Sequence, residues 1–174
     1  ISDVCERFGA ILVTDESHAT LVFGERGGGV AEEAGVAGRV DVHIGTLSKA
    51  VGSQGGFVAT SGRVREFLLN VARAYVFTTS PTLPVVAAAR AAIGVARDEP
   101  ARRTCLWERA EQLARGLGRE TASPIVPIVV GDESRAVAAS RALLDRGFHV
   151  TAIRPPTVPV GQSRLRVTLS AAHT

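Results

Sequence analysis

The sequence predicts an α/β protein with a smaller α+β unit behind it, and three features carry that expectation. "GAILVTDES" runs four apolar residues toward Asp15, the pattern of a short strand buried on both faces with polar groups at its C-terminal end. "VDVHIGTLSK" and "GGFVAT" read as two more strands, with a glycine-rich connection, "LVFGERGGGVAEEAG", ahead of them. After Pro100 the pattern changes to helix, strand, helix and two further strands on a smaller scale. The expected division is therefore residues 1–97 and 98–174.

The helices follow from apolar spacing. In "GRVREFLLNVARAY" Val64, Phe67, Leu68, Val71 and Ala72 share one helical face, which predicts a helix from Gly62 to Tyr75. "LPVVAAARAAIGVARDE" predicts the next, with Pro84 accepted in its first turn and Pro100 stopping it. Beyond it, "ARRTCLWERAEQLARGLGRE" and "ESRAVAASRALLDRGF" are helical, whereas "SPIVPIVVG", "HVTAIRPP" and "SRLRVTLSAAH" read as strands.

Composition narrows the function classes. Hydrophobic residues make up 45% of the 174 residues and charged residues 21%, which fits a packed α/β protein and argues against disorder. The net charge of +3 is spread among scattered arginines with no basic run, which argues against nucleic acid or an anionic membrane as partner. Cys5 and Cys105 stand far apart without metal-ligand spacing, so reduced thiols in an intracellular compartment are expected, the cytosol first and an organelle such as the peroxisome next. No apolar run reaches membrane-spanning length. The opening, "ISDVCERFGAILVTD", reads as a helix end leading straight into a strand, and an N-terminal portion is expected to precede it.

Within this chain "GTLSKAVGSQGG" holds the only lysine, Lys49, against nineteen arginines. Hydroxyls at Thr46 and Ser48 and glycines at 45 and 52 surround it, at the end of an apolar strand. A partly desolvated amine in that setting has a depressed pKa and can attack a carbonyl to form a Schiff base; the alternative is a surface lysine. An aldehyde cofactor of the pyridoxal type also needs a carboxylate against its ring nitrogen. Asp15 is the candidate, and an ordinary helix-capping aspartate is the alternative. His18 stands three residues on, able to bond the ring's phenolic oxygen or to be a plain loop histidine. "DESH" lacks the spacing of a metal site, so no metal is expected. "GERGGG" matches neither nucleotide-loop pattern and reads as a turn-rich connection. No GxSxG is present, which leaves a serine hydrolase unsupported.

"VTDESHAT", "GTLSKAVGSQGG", "YVFTTSPTLP" and "TAIRPPTVPVGQSRLRVTLSAAHT" follow one another along nearly the whole chain. In that order they resemble the α-oxoamine synthases, pyridoxal-phosphate enzymes of fold type I that condense an amino acid with an acyl-CoA and release CO2. The resemblance implies that residues 1–97 are part of the large cofactor-binding domain and 98–174 the small C-terminal domain of a homodimer with active sites at its interface. It implies that Lys49 holds the cofactor aldehyde and later acts as base, with Asp15 at the ring nitrogen and His18 at the phenolic oxygen. Thr46 would bind the cofactor phosphate, and Thr79 would do so from the neighbouring subunit. Arg164 and Arg166 share a strand face, and either could fork onto a substrate carboxylate; the motif favours Arg166, with Thr157 nearby at the substrate. "IRPPTVP" resembles the biotin-pathway member, which implies L-alanine and pimeloyl-CoA, or a pimeloyl carrier-protein thioester, as substrates for 8-amino-7-oxononanoate.

Glycine C-acetyltransferase activity is the nearest alternative, 5-aminolevulinate synthase and serine palmitoyltransferase stand further off, and a truncated noncatalytic partner subunit is the alternative of a different kind. Ala19 occupies a position where many of the family have glycine. Nothing in the chain resembles the family's N-terminal half, which supplies a ring-stacking side chain, a further phosphate loop and part of the dimer surface.

Overall fold

Residues 1–173 are described by a computed structural model, in which the chain divides into two units, Ile1–Pro100 and Ala101–Thr174. The first begins with α1 (Ser2–Phe8), which ends where Gly9 takes a left-handed φ of 60°. Arg39 pairs with both Asp3 and Glu6 of this helix and lowers the pKa of each carboxyl. The chain then enters β1 (Val13–Asp15), which lies parallel to β2 (Val42–Thr46), with Val13 opposite Val42 and Asp15 opposite Ile44. Parallel neighbours need a long crossover. Here residues 16–41 supply it, with α2 (Val30–Glu33) and a single 3-10 turn at Ala37–Arg39. β3 (Gly56–Thr60) returns antiparallel on the other side of β2, giving the order β1-β2-β3.

The expected burial of β1 on both faces does not hold. Ile11 is 75% and Val13 51% exposed. β1 is an edge strand, and α3 (Gly62–Val71) packs on β3 at the opposite edge. The helix expected over residues 62–75 is also two pieces. Ser61 caps α3 by accepting from the Val64 amide, but Ala72 leaves helical geometry with ψ 88°, and α4 (Arg73–Val76) starts after it. No glycine or proline marks that break, so composition gives no sign of it. α5 (Leu83–Asp98) follows, with Pro84 in its first turn as expected.

In the second unit α6 (Ala101–Gly116) leads to β4 (Ile125–Gly131), α7 (Glu133–Leu144), β5 (Thr151–Ile153) and β6 (Ser163–Thr168). The sheet is antiparallel with β6 at its centre, in the order β4-β6-β5. Alternation along β6 turns Ser163 and Leu165 into the core, where Val126, Ala110, Ala114 and Ala136 are also buried. Asp132 starts α7 by accepting from the Arg135 amide at 2.8 Å. Asp132→Ala removes that cap and is expected to cost about 1 kcal/mol of stability, read as a lower melting temperature.

Candidate functional site

Parallel strands β1 and β2 end side by side, and the C-terminal ends of such strands are where open α/β sheets collect ligands. Two loops leave from this edge, residues 16–20 after β1 and residues 47–55 after β2. The histidine and the lysine singled out above lie in these loops, and Asp15 stands at the end of β1 where the first loop begins.

Asp15 closes β1 and is exposed. Its Oδ1 accepts from the Ser17 amide at 2.9 Å. Bonds from the Ser17 side chain and backbone lower its pKa first, burial opposes them, and the positive charges of Lys49 and then His18 add smaller downward pulls. Lys49 and His18 each stand close enough to act on the Asp15 carboxylate. A depressed folded pKa also fixes the sign of the pH response: whatever these contacts contribute is present above the ordinary carboxylate value of 3.8 and is lost as pH falls through the lowered one. At neutral pH the group is an anion.

The loop after β2 is held by its own backbone. Leu47 donates to the Gly55 carbonyl at 2.9 Å, Ser53 donates to Leu47 at 2.7 Å, and Gly52 donates to the Lys49 carbonyl at 2.9 Å. The last bond closes a turn whose final residue, Gly52, has φ 68°, which explains a glycine three residues after the lysine. Ser53 Oγ donates to the Val85 carbonyl and ties the loop to α5. Val51 is buried beneath, so the turn has an apolar foot. Lys49 itself is exposed. The partly desolvated amine expected from sequence is thus not found in this chain, where burial in the turn falls to Val51 and not to the lysine. The Thr46 hydroxyl is engaged within the loop, 2.8 Å from Ser48 Oγ and 3.1 Å from the Gly55 carbonyl.

The other expected residues lie elsewhere. Thr79 is exposed in the irregular stretch between α4 and α5, apart from both loops in sequence and free of regular structure. Thr157, Arg164 and Arg166 belong to the second unit. Thr157 donates to the Arg154 carbonyl in the β5–β6 connection, where the Pro155–Pro156 bond is cis. Arg164 and Arg166 share the face of β6 opposite the buried Ser163 and Leu165, and Arg164 Nε donates to the Gln162 carbonyl.

"GERGGG" is indeed a turn-rich connection. The Glu32 carboxylate accepts from the Gly28 amide at 2.6 Å and from Arg26, and Glu33 accepts from the Gly24 amide. Amides that a phosphate loop would aim at its ligand are spent on these acids. Ala19 is buried without a positive φ, which among the described non-glycine residues falls to Leu21, so alanine fits there. A cavity of about 460 Å³ is lined by His43, Phe57 and Ala59 with Arg26 and Glu32 at its side. Glu16, Thr20 and Ile44 line it as well, so it reaches the start of the loop after β1.

Two residues escaped sequence reading. Ser17 fixes the Asp15 carboxylate, and Glu16, although acidic, is buried at 6% exposure. The partners of Glu16 lie fourteen and fifteen residues on, at Val30 and Ala31, beyond any local pattern.

A family model, aminotransferase class I and II, matches residues 1–174. Among curated proteins the chain is 52% identical over 179 residues to the 8-amino-7-oxononanoate synthase of Anaeromyxobacter dehalogenans (strain 2CP-C), covering 99% of this chain and 45% of that protein. It is 49% identical over 174 residues to the enzyme of the same name from Arabidopsis thaliana, covering 100% of this chain and 37% of that one. The chain thus spans less than half the length of these relatives. Among solved structures, the serine palmitoyltransferase of Sphingomonas wittichii superposes with a TM-score of 0.93 at 40% identity, over 99% of this chain and 45% of that one. A high-resolution serine palmitoyltransferase structure with a PLP internal aldimine gives 0.94 at 37% identity, over 99% and 46%.

Proposed function

Because this chain belongs to the aminotransferase class I and II family, we propose that it forms the lysine-bearing part of a pyridoxal-phosphate-dependent acyltransferase of the α-oxoamine synthase kind. The proposed reaction joins L-alanine to pimeloyl-CoA, or to a pimeloyl carrier-protein thioester, and yields 8-amino-7-oxononanoate, CoA and CO2. One observation carries the reading: an exposed aspartate ends β1 and an exposed lysine stands in the loop that leaves the same end of its parallel neighbour β2.

The residues fit the cofactor. A group with an aldehyde at one position and a pyridine nitrogen across the ring needs an amine and a carboxylate held apart on one rigid edge, and Lys49 and Asp15 supply them. When bound, pyridoxal phosphate supplies an electrophilic carbon and an electron-poor ring that takes up charge as the substrate's α C–H bond breaks. Lys49 would hold the cofactor through its amine and would serve as the general base for the substrate's α proton. Asp15 stays anionic and keeps the ring nitrogen protonated. His18 orients the phenolic oxygen. Thr46 offers its hydroxyl to the phosphate by giving up a bond within its loop, and Thr79 does so from a partner subunit in a homodimer. Arg166, with Arg164 beside it and Thr157 in the preceding turn, binds the substrate carboxylate.

Alanine with a pimeloyl donor is favoured over glycine with an acetyl donor by the identities of 52% and 49% to proteins named for the former. The test is a matrix of L-alanine and glycine against pimeloyl-CoA, acetyl-CoA and succinyl-CoA, using the protein at the full length its gene encodes. The alanine–pimeloyl pair is expected to give the highest kcat/KM. A higher value for glycine with acetyl-CoA would replace this reading with that of an acetyltransferase. A protein that binds pyridoxal phosphate but turns over no pair would be the noncatalytic partner.

A further inference from the structure

We infer that Glu16 is a positioning residue for the cofactor site, a role that rests on the function proposed above. A glutamate is seldom buried unless its charge is met. Here both carboxylate oxygens are used, Oε2 accepting from the Val30 amide and Oε1 from the Ala31 amide, each at 2.9 Å. These are the first amides of α2, so the acid also meets the positive end of that turn. The backbone of the same residue is equally engaged. Its amide donates to the Ile44 carbonyl at 2.7 Å, and its carbonyl accepts from the Ala19 and Thr20 amides and from the Thr20 hydroxyl.

One residue therefore joins β2, the 16–20 loop and the start of α2. Asp15 precedes it and His18 lies two residues beyond. α2 has four residues, too few to hold its own shape. The approach of the two segments also demands glycine at 29, which has φ +103° and whose added Cβ would stand 2.7 Å from the Glu16 carboxyl carbon. The place from which Asp15 and His18 leave the end of β1 thus depends on a buried carboxylate whose two oxygens are both taken up by the amides of α2. A residue that only stabilised α2 would leave the chemistry of the site alone when removed.

The experiment compares Glu16→Gln with wild type in the full-length protein. Glutamine keeps the shape but sets an NH2 against one of the two amide hydrogens. Hydrogen exchange at Val30 and Ala31 is expected to accelerate. The Kd for pyridoxal phosphate should rise about tenfold, and the pH titration of its bound absorbance band should shift. Asp132→Ala, which removes a helix cap in the other unit, serves as the stability control and should leave both cofactor readings within twofold of wild type. Gly29→Ala is the second variant, displacing the Glu16 carboxylate without altering it, and the same two changes are expected should Glu16→Gln fail to fold. A wild-type Kd and a wild-type pH titration in a folded variant with fast exchange would overturn the positioning role while leaving the proposed function standing. If the wild-type protein itself gives no bound band, the proposed function fails and the positioning role fails with it.

Discussion

Lys49→Ala in the full-length protein is expected to lose turnover by about 10²–10⁴-fold from the missing general base alone, and with it every covalent trace of the cofactor. Arginine cannot stand in. Nineteen guanidiniums surround this one amine in sequence, and a guanidinium neither deprotonates near neutral pH nor attacks an aldehyde. The fold should be indifferent to the change. Lys49 is exposed, and its backbone rather than its side chain closes the turn with Gly52. Loss of activity with an unchanged melting curve is the combined result to look for, measured by product formation and thermal denaturation on one preparation. A Lys49→Ala protein that retained turnover would remove the lysine from the mechanism.

Asp15→Asn is expected to show the second-largest effect, by a different route. Asparagine can still accept from the Ser17 amide, so the local turn survives. What disappears is the negative charge, which an exposed carboxyl carries at neutral pH and which the Ser17 bonds hold to still lower pH. Removing an opposite charge from beside a titrating group shifts its pKa by roughly 1–3 units. The ring nitrogen of the bound cofactor should therefore lose its proton at lower pH, and turnover should fall by on the order of 10²-fold or more. The pH dependence of the cofactor absorbance, measured in both proteins, reads the first effect, and the alanine–pimeloyl assay reads the second. An unchanged titration would place the charge of Asp15 away from the ring.

The strands were legible because each is a short apolar run stopped by polar residues, and β1, β2 and β3 lie within "GAILVTDES", "VDVHIGTLSK" and "GGFVAT". The reason for Gly52 was not legible: beside the lysine it reads as room for a ligand to approach the backbone, whereas the folded chain uses its positive φ to close a turn. Burial was harder to read. Val13 and Ile11 carry the pattern of core residues but are exposed, because a run of apolar side chains reports what a strand can pack against and not what covers it in this unit. The break at Ala72 left no mark either, as alanine suits a helix interior. Glu16 was missed for a third reason: its partners come from a loop more than a dozen residues away, and only the folded chain brings a glutamate and two helix amides together.

The central claim, that the amine at position 49 carries the cofactor, is open to one direct measurement. The full-length protein is incubated with pyridoxal phosphate, reduced with borohydride, digested and mapped by mass spectrometry. A pyridoxyl group on the peptide containing Lys49, at close to one per chain, is the predicted result. A group on any other residue, or none on a folded protein, would contradict it.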